Sequence, residues 1–193
     1  MSPLKRANMT DRKITRGKVL LAEPFMLDTN FKRAVVLMCE HEDEGSLGFI
    51  LNKSLNMKIN ELISGFPEID SSVFYGGPVQ TDTIHYIHNA GHLLEDSQEI
   101  MPGVFWGGDF NKLKALITNE LITKENIRFF VGYSGWSECQ LKEELKLGSW
   151  VVADMNLNYL FKEGAPDLWS KIMKHKGDVY SVIANVPEAI TWN

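Results

Sequence analysis

The first third of the chain alternates apolar runs of strand length with short polar stretches. Val19-Leu20-Leu21-Ala22 stops at Pro24, and two further runs follow, Ala34-Val35-Val36-Leu37-Met38-Cys39 and Leu47-Gly48-Phe49-Ile50-Leu51. All are rich in residues that suit a pleated, buried surface. Between the second and third lies Glu40-His41-Glu42-Asp43-Glu44-Gly45-Ser46, a polar turn with one glycine. The pattern predicts a hairpin with adjacent antiparallel strands over 34–40 and 47–52.

Farther on, Ile59, Leu62 and Ile63 have the spacing of a one-sided helix that Gly65 and Pro67 end. Strands are expected at 73–75, 83–88 and 104–106, with a polar connection over 90–99. Asp109 is a good N-cap for a helix whose stripe is Phe110, Leu113, Leu116, Ile117 and Leu121. A buried strand at 127–133 leads to a helix from Ser137 through Leu141 and Leu145 to Gly148. A strand at 150–153, a helical turn after Asp154 and a helix over Asp167–Lys176 follow, and Tyr180-Ser181-Val182-Ile183 reads as a last edge strand. Strands outnumber helices and strict βαβ alternation is missing, which speaks against a doubly wound sheet.

Length and composition add bounds. At 193 residues, with 44% hydrophobic and 23% charged residues, the chain fits one ordinary domain over 17–193 preceded by a polar, basic arm over 1–16. The formal net charge is −5 and the pI near 5.6, which argues against direct DNA binding. Two cysteines, Cys39 and Cys139, are too few for a disulfide framework and read as reduced core or near-core residues. No apolar run approaches membrane-spanning length and no secretory signal opens the chain, so no membrane association and a cytoplasmic location are the default expectations.

Several residues carry candidate chemistry. Glu40 beside His41 places a carboxylate next to an imidazole, a pairing that can tune a proton acceptor, although neighbours on a strand face opposite sides. The plainer alternative is that either residue pins the hairpin by bonding backbone or Arg33. Gly76-Gly77-Pro78 after a strand is either an anion-cradling nest or a tight turn. His85, His88 and His92 form a histidine cluster, but residues three apart on a strand diverge, so no metal is expected there. Gly132-Tyr133-Ser134-Gly135-Trp136 looks like a nucleophile elbow, except that Trp136 stands where the last glycine belongs. A tight strand-to-helix turn is the better reading, with Trp136 as pocket floor, interface anchor or core, and Gln140 one helical turn on.

These segments together resemble the signature of the bacterial YqgE/AlgH family. The resemblance rests on Gly17 with Leu20-Leu21-Ala22-x-Pro24, on Asp28-x-x-Phe31-x-Arg33-Ala34-Val35-Val36, and on Glu40-His41 with Gly45, Gly48 and Asn52. Gly76-Gly77-Pro78-Val79, Gly132-Tyr133-Ser134-Gly135-Trp136 with Gln140-Leu141, and Trp150 complete it, over about 17–177. The resemblance implies an α+β fold: a bent, mixed, largely antiparallel sheet folded towards a pseudo-barrel, with helices packed on it. It implies little about function, since members are often labelled transcriptional regulators without a firm biochemical activity. The family commonly has Ala where Ser134 stands, which argues against a catalytic serine there.

The expectation is a binding or regulatory protein without catalytic residues, metal or cofactor, acting on an unknown protein or small-molecule partner. The residues expected to bind are Arg33, Glu40, His41 and Asn52, with Gly76, Gly77, Pro78, Trp136 and Gln140. A small-ligand binder or enzyme built from the same groups, and a nucleic-acid binder acting through the basic arm, stand as alternatives.

Overall fold

The computed structural model describes residues 13–161 and 167–185. Most of the basic arm expected at 1–16 therefore lies outside the described residues. Ile14, within that span, is buried.

The polypeptide runs β1 (Lys18–Ala22), β2 (Val35–Glu42), β3 (Gly45–Ile50), β4 (Ser54–Lys58), α1 (Ile59–Leu62), β5 (Ser72–Tyr75) and β6 (Val79–His88). It continues through β7 (Ser97–Met101), β8 (Val104–Gly107), α2 (Phe110–Thr118), β9 (Ile127–Ser137), α3 (Gln140–Leu147) and β10 (Trp150–Asp154). Helices α4 (Leu157–Phe161), α5 (Leu168–His175) and α6 (Asp178–Ala184) close it. The strand order is β10-β1-β2-β3-β9-β6-β8-β7, with β4 on β5 and β5 on β9. Among the described residues only the β5–β9 pair is parallel. This is the α+β, largely antiparallel sheet that the family resemblance implies.

The sheet curls. Its far strand returns to the chain entering β1, where a Cβ on Gly17 would stand 3.0 Å from Met101 Cβ. The inner face carries Val19, Leu37, Phe49, Ile87, Val104 and Phe130. Helix α5 lays Leu168, Trp169, Ile172 and Met173 on that face, and the Trp169 indole donates to Ala22 O at 2.9 Å. The outer face has two covers. Near β6 and β9 it packs on α2 through Leu113, Leu116 and Ile117, and near β1–β3 it packs Leu20, Val36, Met38 and Ile50 with Leu141 of α3.

The expected hairpin is present: β2 and β3 pair antiparallel from Val36↔Ile50 to Glu42↔Gly45, with a bulge between Met38 and Glu40. Four local expectations are corrected. The helix expected around Ile59 is a single turn, because Ser54–Lys58 forms a strand on β5 first. The polar connection over 90–99 contains the start of β7, which pairs with β8. The segment from Gly132 to Trp136 is no turn, since β9 continues to Ser137 and the helix begins only at Gln140. Tyr180–Ile183 is helical, because Tyr180, Ile183 and Ala184 share one helical face towards the core while Val182 is 72% exposed. In α2, Asp109 caps Lys112 N at 2.6 Å as expected, but the helix ends before Leu121, which is exposed.

Strand β9 is the hub. Tyr75 pairs with Val131 on one edge of β9, and Val79 pairs with Tyr133 on the other. The chain between them, Gly76-Gly77-Pro78, must therefore cross β9. A Cβ on Gly76 would lie 2.2 Å from Gly132 O, and one on Gly132, at φ +64°, would lie 2.6 Å from Gly77 O. Two backbones pass here at a distance that excludes side chains.

Candidate functional site

The expected binding residues divide into those the crossing and the core absorb and those left at the surface. Gly76 and Gly77 are buried in the crossing, so they form neither a nest nor a simple turn, while Pro78 beside them is exposed. Ser134 is fully buried and its Oγ donates to Gly76 O at 3.0 Å, which makes it a pin of the crossing rather than a nucleophile. Asn52 is likewise a pin: Val35 N donates to its Oδ1 at 2.9 Å and its Nδ2 donates to Arg33 O at 2.8 Å. The Arg33 guanidinium lies over the Trp169 ring, 4.8 Å from its centroid, away from Glu40 on the hairpin.

Trp136 is 5% exposed and packs against Phe31 and Trp150 on the outer face. Its indole N–H donates to Glu144 Oε2, as does that of Trp150, and Gln140 Nε2 donates to Glu144 Oε1. Gln140 also accepts from Ser137 N, so it stitches the end of β9 to α3. The helix pattern places Glu144 outward with Glu143 and Lys146, and the structure corrects this, since both indoles reach it; its position one turn after Gln140 is a signal only once both tryptophans are known to face it.

Glu40 and His41 remain at the surface, on opposite faces of the hairpin. The pair Glu40↔Leu47 belongs to the inner face, and His41↔Ser46 to the outer. His41 Nδ1 and Ser46 Oγ stand 2.7 Å apart. An open depression flanks each face of the hairpin tip. The inner one, about 470 Å³, is walled by Glu40, Glu42, Glu44, Leu47, Val79 and Tyr133. The outer one, about 860 Å³, is lined among others by Ile14, His41, Ser46, Cys139, Leu141 and Lys142. Cys139 is exposed, correcting its expected place in or near the core.

Tyr133 continues the inner depression into an aromatic wall. Its ring centroid lies 5.9 Å from that of His85, which lies 6.1 Å from Trp106 and 5.2 Å from Phe49. Burial pushes the His85 imidazole pKa below its ordinary value. His88 sits on the opposite face of β6, stacked on Phe105. His85 and His88 therefore diverge, and among the described residues no group of three His, Cys, Asp or Glu side chains is placed to hold a metal. Arg128 is buried over Phe74, donates to Leu51 O at 3.2 Å, and has its pKa pushed down to about 10 by burial.

Known proteins resemble this chain in sequence and in fold. A family profile described as AlgH-like matches residues 19–181. A UPF0301 protein of Chlorobaculum parvum is 49% identical over 172 residues, covering 89% of this chain and 92% of its own. Another, from Cytophaga hutchinsonii, is 40% identical, covering 90% of this chain and 96% of its own. The solution structure of the AlgH protein from Pseudomonas aeruginosa superposes with a TM-score of 0.72 at 22% identity, covering 94% of this chain and 97% of that one. A crystal structure of a Corynebacterium diphtheriae protein gives 0.76 at 20% identity, covering 90% and 93%. At such identities the structural likeness concerns the fold alone. No helix among the described residues is long and apolar enough to cross a membrane.

Proposed function

We propose that this chain, which belongs to the AlgH-like family, is a non-enzymatic binding protein that receives a protein partner at the tip of the β2–β3 hairpin. Any influence on transcription is then indirect, through that partner. One observation carries the reading. Asn52, Gly76, Gly77, Trp136 and Gln140 are consumed by backbone pins, the strand crossing and the indole–carboxylate cluster, whereas the hairpin residues face open depressions on both sides. Exposed groups on a rigid strand pair are where scaffolds place binding functions. The test is site-specific photo-crosslinking in the native host, with benzoylphenylalanine at Asp43 on the hairpin or at Glu120 beyond α2. A discrete adduct from position 43 and none from position 120 is expected. Equal adducts from both, or none from 43, would remove the reading.

A second reading, a hydrolytic enzyme, is favoured by the 2.7 Å contact between His41 Nδ1 and Ser46 Oγ, the spacing of a base and a nucleophile. It predicts that a fluorophosphonate labels Ser46 and that Ser46→Ala abolishes labelling. An unlabelled native protein would discard it.

A further inference from the structure

The inner depression has a chemistry of its own. The cross-strand row Glu40↔Leu47↔Gly135 and the next inward row, Glu42↔Gly45↔Ser137, place both glutamates on one face. Gly45 beside Glu42, and Gly135 beyond Leu47, bring no side chain. The result is a trough, with carboxylates along one side, Leu47 and Val79 in the floor, and the partly exposed ring of Tyr133 on the other side. No lysine or arginine lines it, and none of Glu40, Glu42 and Glu44 forms an ion pair among the described residues.

Carboxylates facing aromatic rings suit a guanidinium or ammonium group, which gains a charge-assisted hydrogen bond on one side and a π face on the other. The trough is wide open and encloses nothing, whereas sites for small molecules bury most of the ligand. An extended peptide fits such a surface. Glu40 and Glu42 are two residues apart on a regular stretch of strand, so their side chains leave the same face at a separation of about 6.6 Å. An extended segment repeats its own side chains at that same interval.

Resting on the proposed partner site, we infer that this trough takes an extended basic segment of the partner, with arginine or lysine at alternate positions. The chain's own basic arm does not have that spacing, since Lys5-Arg6 and Arg12-Lys13 are contiguous.

The test uses the full chain and three short fluorescein-labelled peptides. One alternates arginine with threonine, one has the same composition with its arginines contiguous, and one has glutamate in place of arginine. Anisotropy is expected to show saturable binding of the alternating peptide, weaker binding of the contiguous one and none of the acidic one. The Glu40→Gln/Glu42→Gln variant and, separately, Tyr133→Ala are each expected to weaken the alternating peptide about tenfold, while Glu120→Gln leaves it unchanged. The Gln pair is isosteric and surface-placed, so an unchanged melting temperature separates lost recognition from lost fold. Equal binding of all three peptides, or wild-type affinity in the Gln pair, would overturn the inference. So would a large gain in peptide affinity when Lys5, Arg6, Arg12 and Lys13 are replaced by serine, because the arm would then be the occupant. If the position-43 adduct forms but the arginine peptide fails to compete with it, the hairpin site stands and the basic-segment inference falls.

Discussion

Trp136 donates its indole N–H to Glu144 Oε2 at 2.9 Å, and Trp150 donates to the same oxygen at 2.7 Å. Both indoles are about 95% buried, at 5% and 4% exposure. One carboxylate on α3 therefore satisfies donors from β9 and β10 together, and fixes the helix to two strands far apart in the sheet order. Glu144→Ala leaves two buried donors unmet and is expected to cost about 3 kcal/mol, a fall in Tm of about 6–12 °C for a chain of this size. Glu144→Gln keeps one acceptor oxygen and is expected to cost about 1 kcal/mol. Thermal melts followed by tryptophan fluorescence check this; equal melting of Glu144→Ala and wild type would show that the contacts carry no net stability.

The crossing of β9 makes a sharper prediction, because an internal control exists. Gly132 and Gly103 both have left-handed φ, +64° and +77°, but only Gly132 has backbone oxygens within 3 Å of a built Cβ. Gly103→Ala should cost only the conformational penalty, about 1 kcal/mol. Gly132→Ala adds overpacking against Gly77 O and Val79 O and should cost at least about 3 kcal/mol. Denaturant titration of the two variants decides, and similar losses would mean that the crossing tolerates separation.

The α+β class came with the family resemblance, and the hairpin and the capped helix α2 were legible because each follows from local periodicity, a turn glycine or an N-cap. The crossing was not. Gly76-Gly77 and Gly132 are 55 residues apart, and a glycine that avoids a distant backbone looks the same in sequence as one that makes a turn. The same limit applied to Trp136, which the sequence left as pocket, interface or core. Its partner Glu144 lies two helical turns away across a strand end, a distance no periodicity reports. The separation of Glu40 from His41 across the two faces was readable from strand alternation, but not the depression beside each.

Acid should destabilise the fold through buried histidine. His88 is fully buried; its Nε2 donates to Gly107 O at 2.9 Å and its Nδ1 accepts from Ala90 N at 3.2 Å. A second proton would meet that amide donor. Burial lowers its pKa from 6.5, against a smaller opposing contribution from the Gly107 carbonyl, and burial lowers His85 likewise. With the folded values below the unfolded one, the unfolded chain takes up protons first as the pH drops. This stability is complete above about pH 6.5 and is lost as pH falls towards the folded values. Melts between pH 7.5 and about 5 should show a decline that His88→Gln makes shallower, and an undiminished decline in that variant would refute the assignment.

The two thiols should react very differently. Cys39 is fully buried, and burial, with a lesser push from Glu40, holds its pKa well above the usual value. Cys139 is exposed at the start of α3. Titration of native protein with a thiol reagent should release one rapid equivalent, removed by Cys139→Ser, with Cys39 reacting only on unfolding. Two rapid equivalents would mean that β2 opens readily. A 39–139 linkage in freshly purified protein would contradict the free-thiol state.

Duplex DNA should not be a specific ligand. The net charge is −5, and the hairpin tip adds four consecutive positions of which three are acidic, Glu42, Asp43 and Glu44, followed by Gly45. Several exposed lysines are already committed to carboxylates: Lys58 and Lys124 to Asp70, Lys112 to Glu95, Lys18 to Asp154 and Lys146 to Glu143. The two lysines on Asp70 pull its carboxyl pKa down to about 2, so that pairing persists across the neutral range. A phosphate backbone would compete with such pairs, and the attraction that scattered lysines and arginines supply is sequence-independent and falls steeply with salt. Anisotropy with labelled duplexes at about 0.15 M salt should therefore show only weak binding, alike for unrelated sequences, with dissociation constants above about 1 µM. Saturable, sequence-dependent binding at submicromolar protein would establish direct recognition and overturn the indirect role proposed for any transcriptional effect.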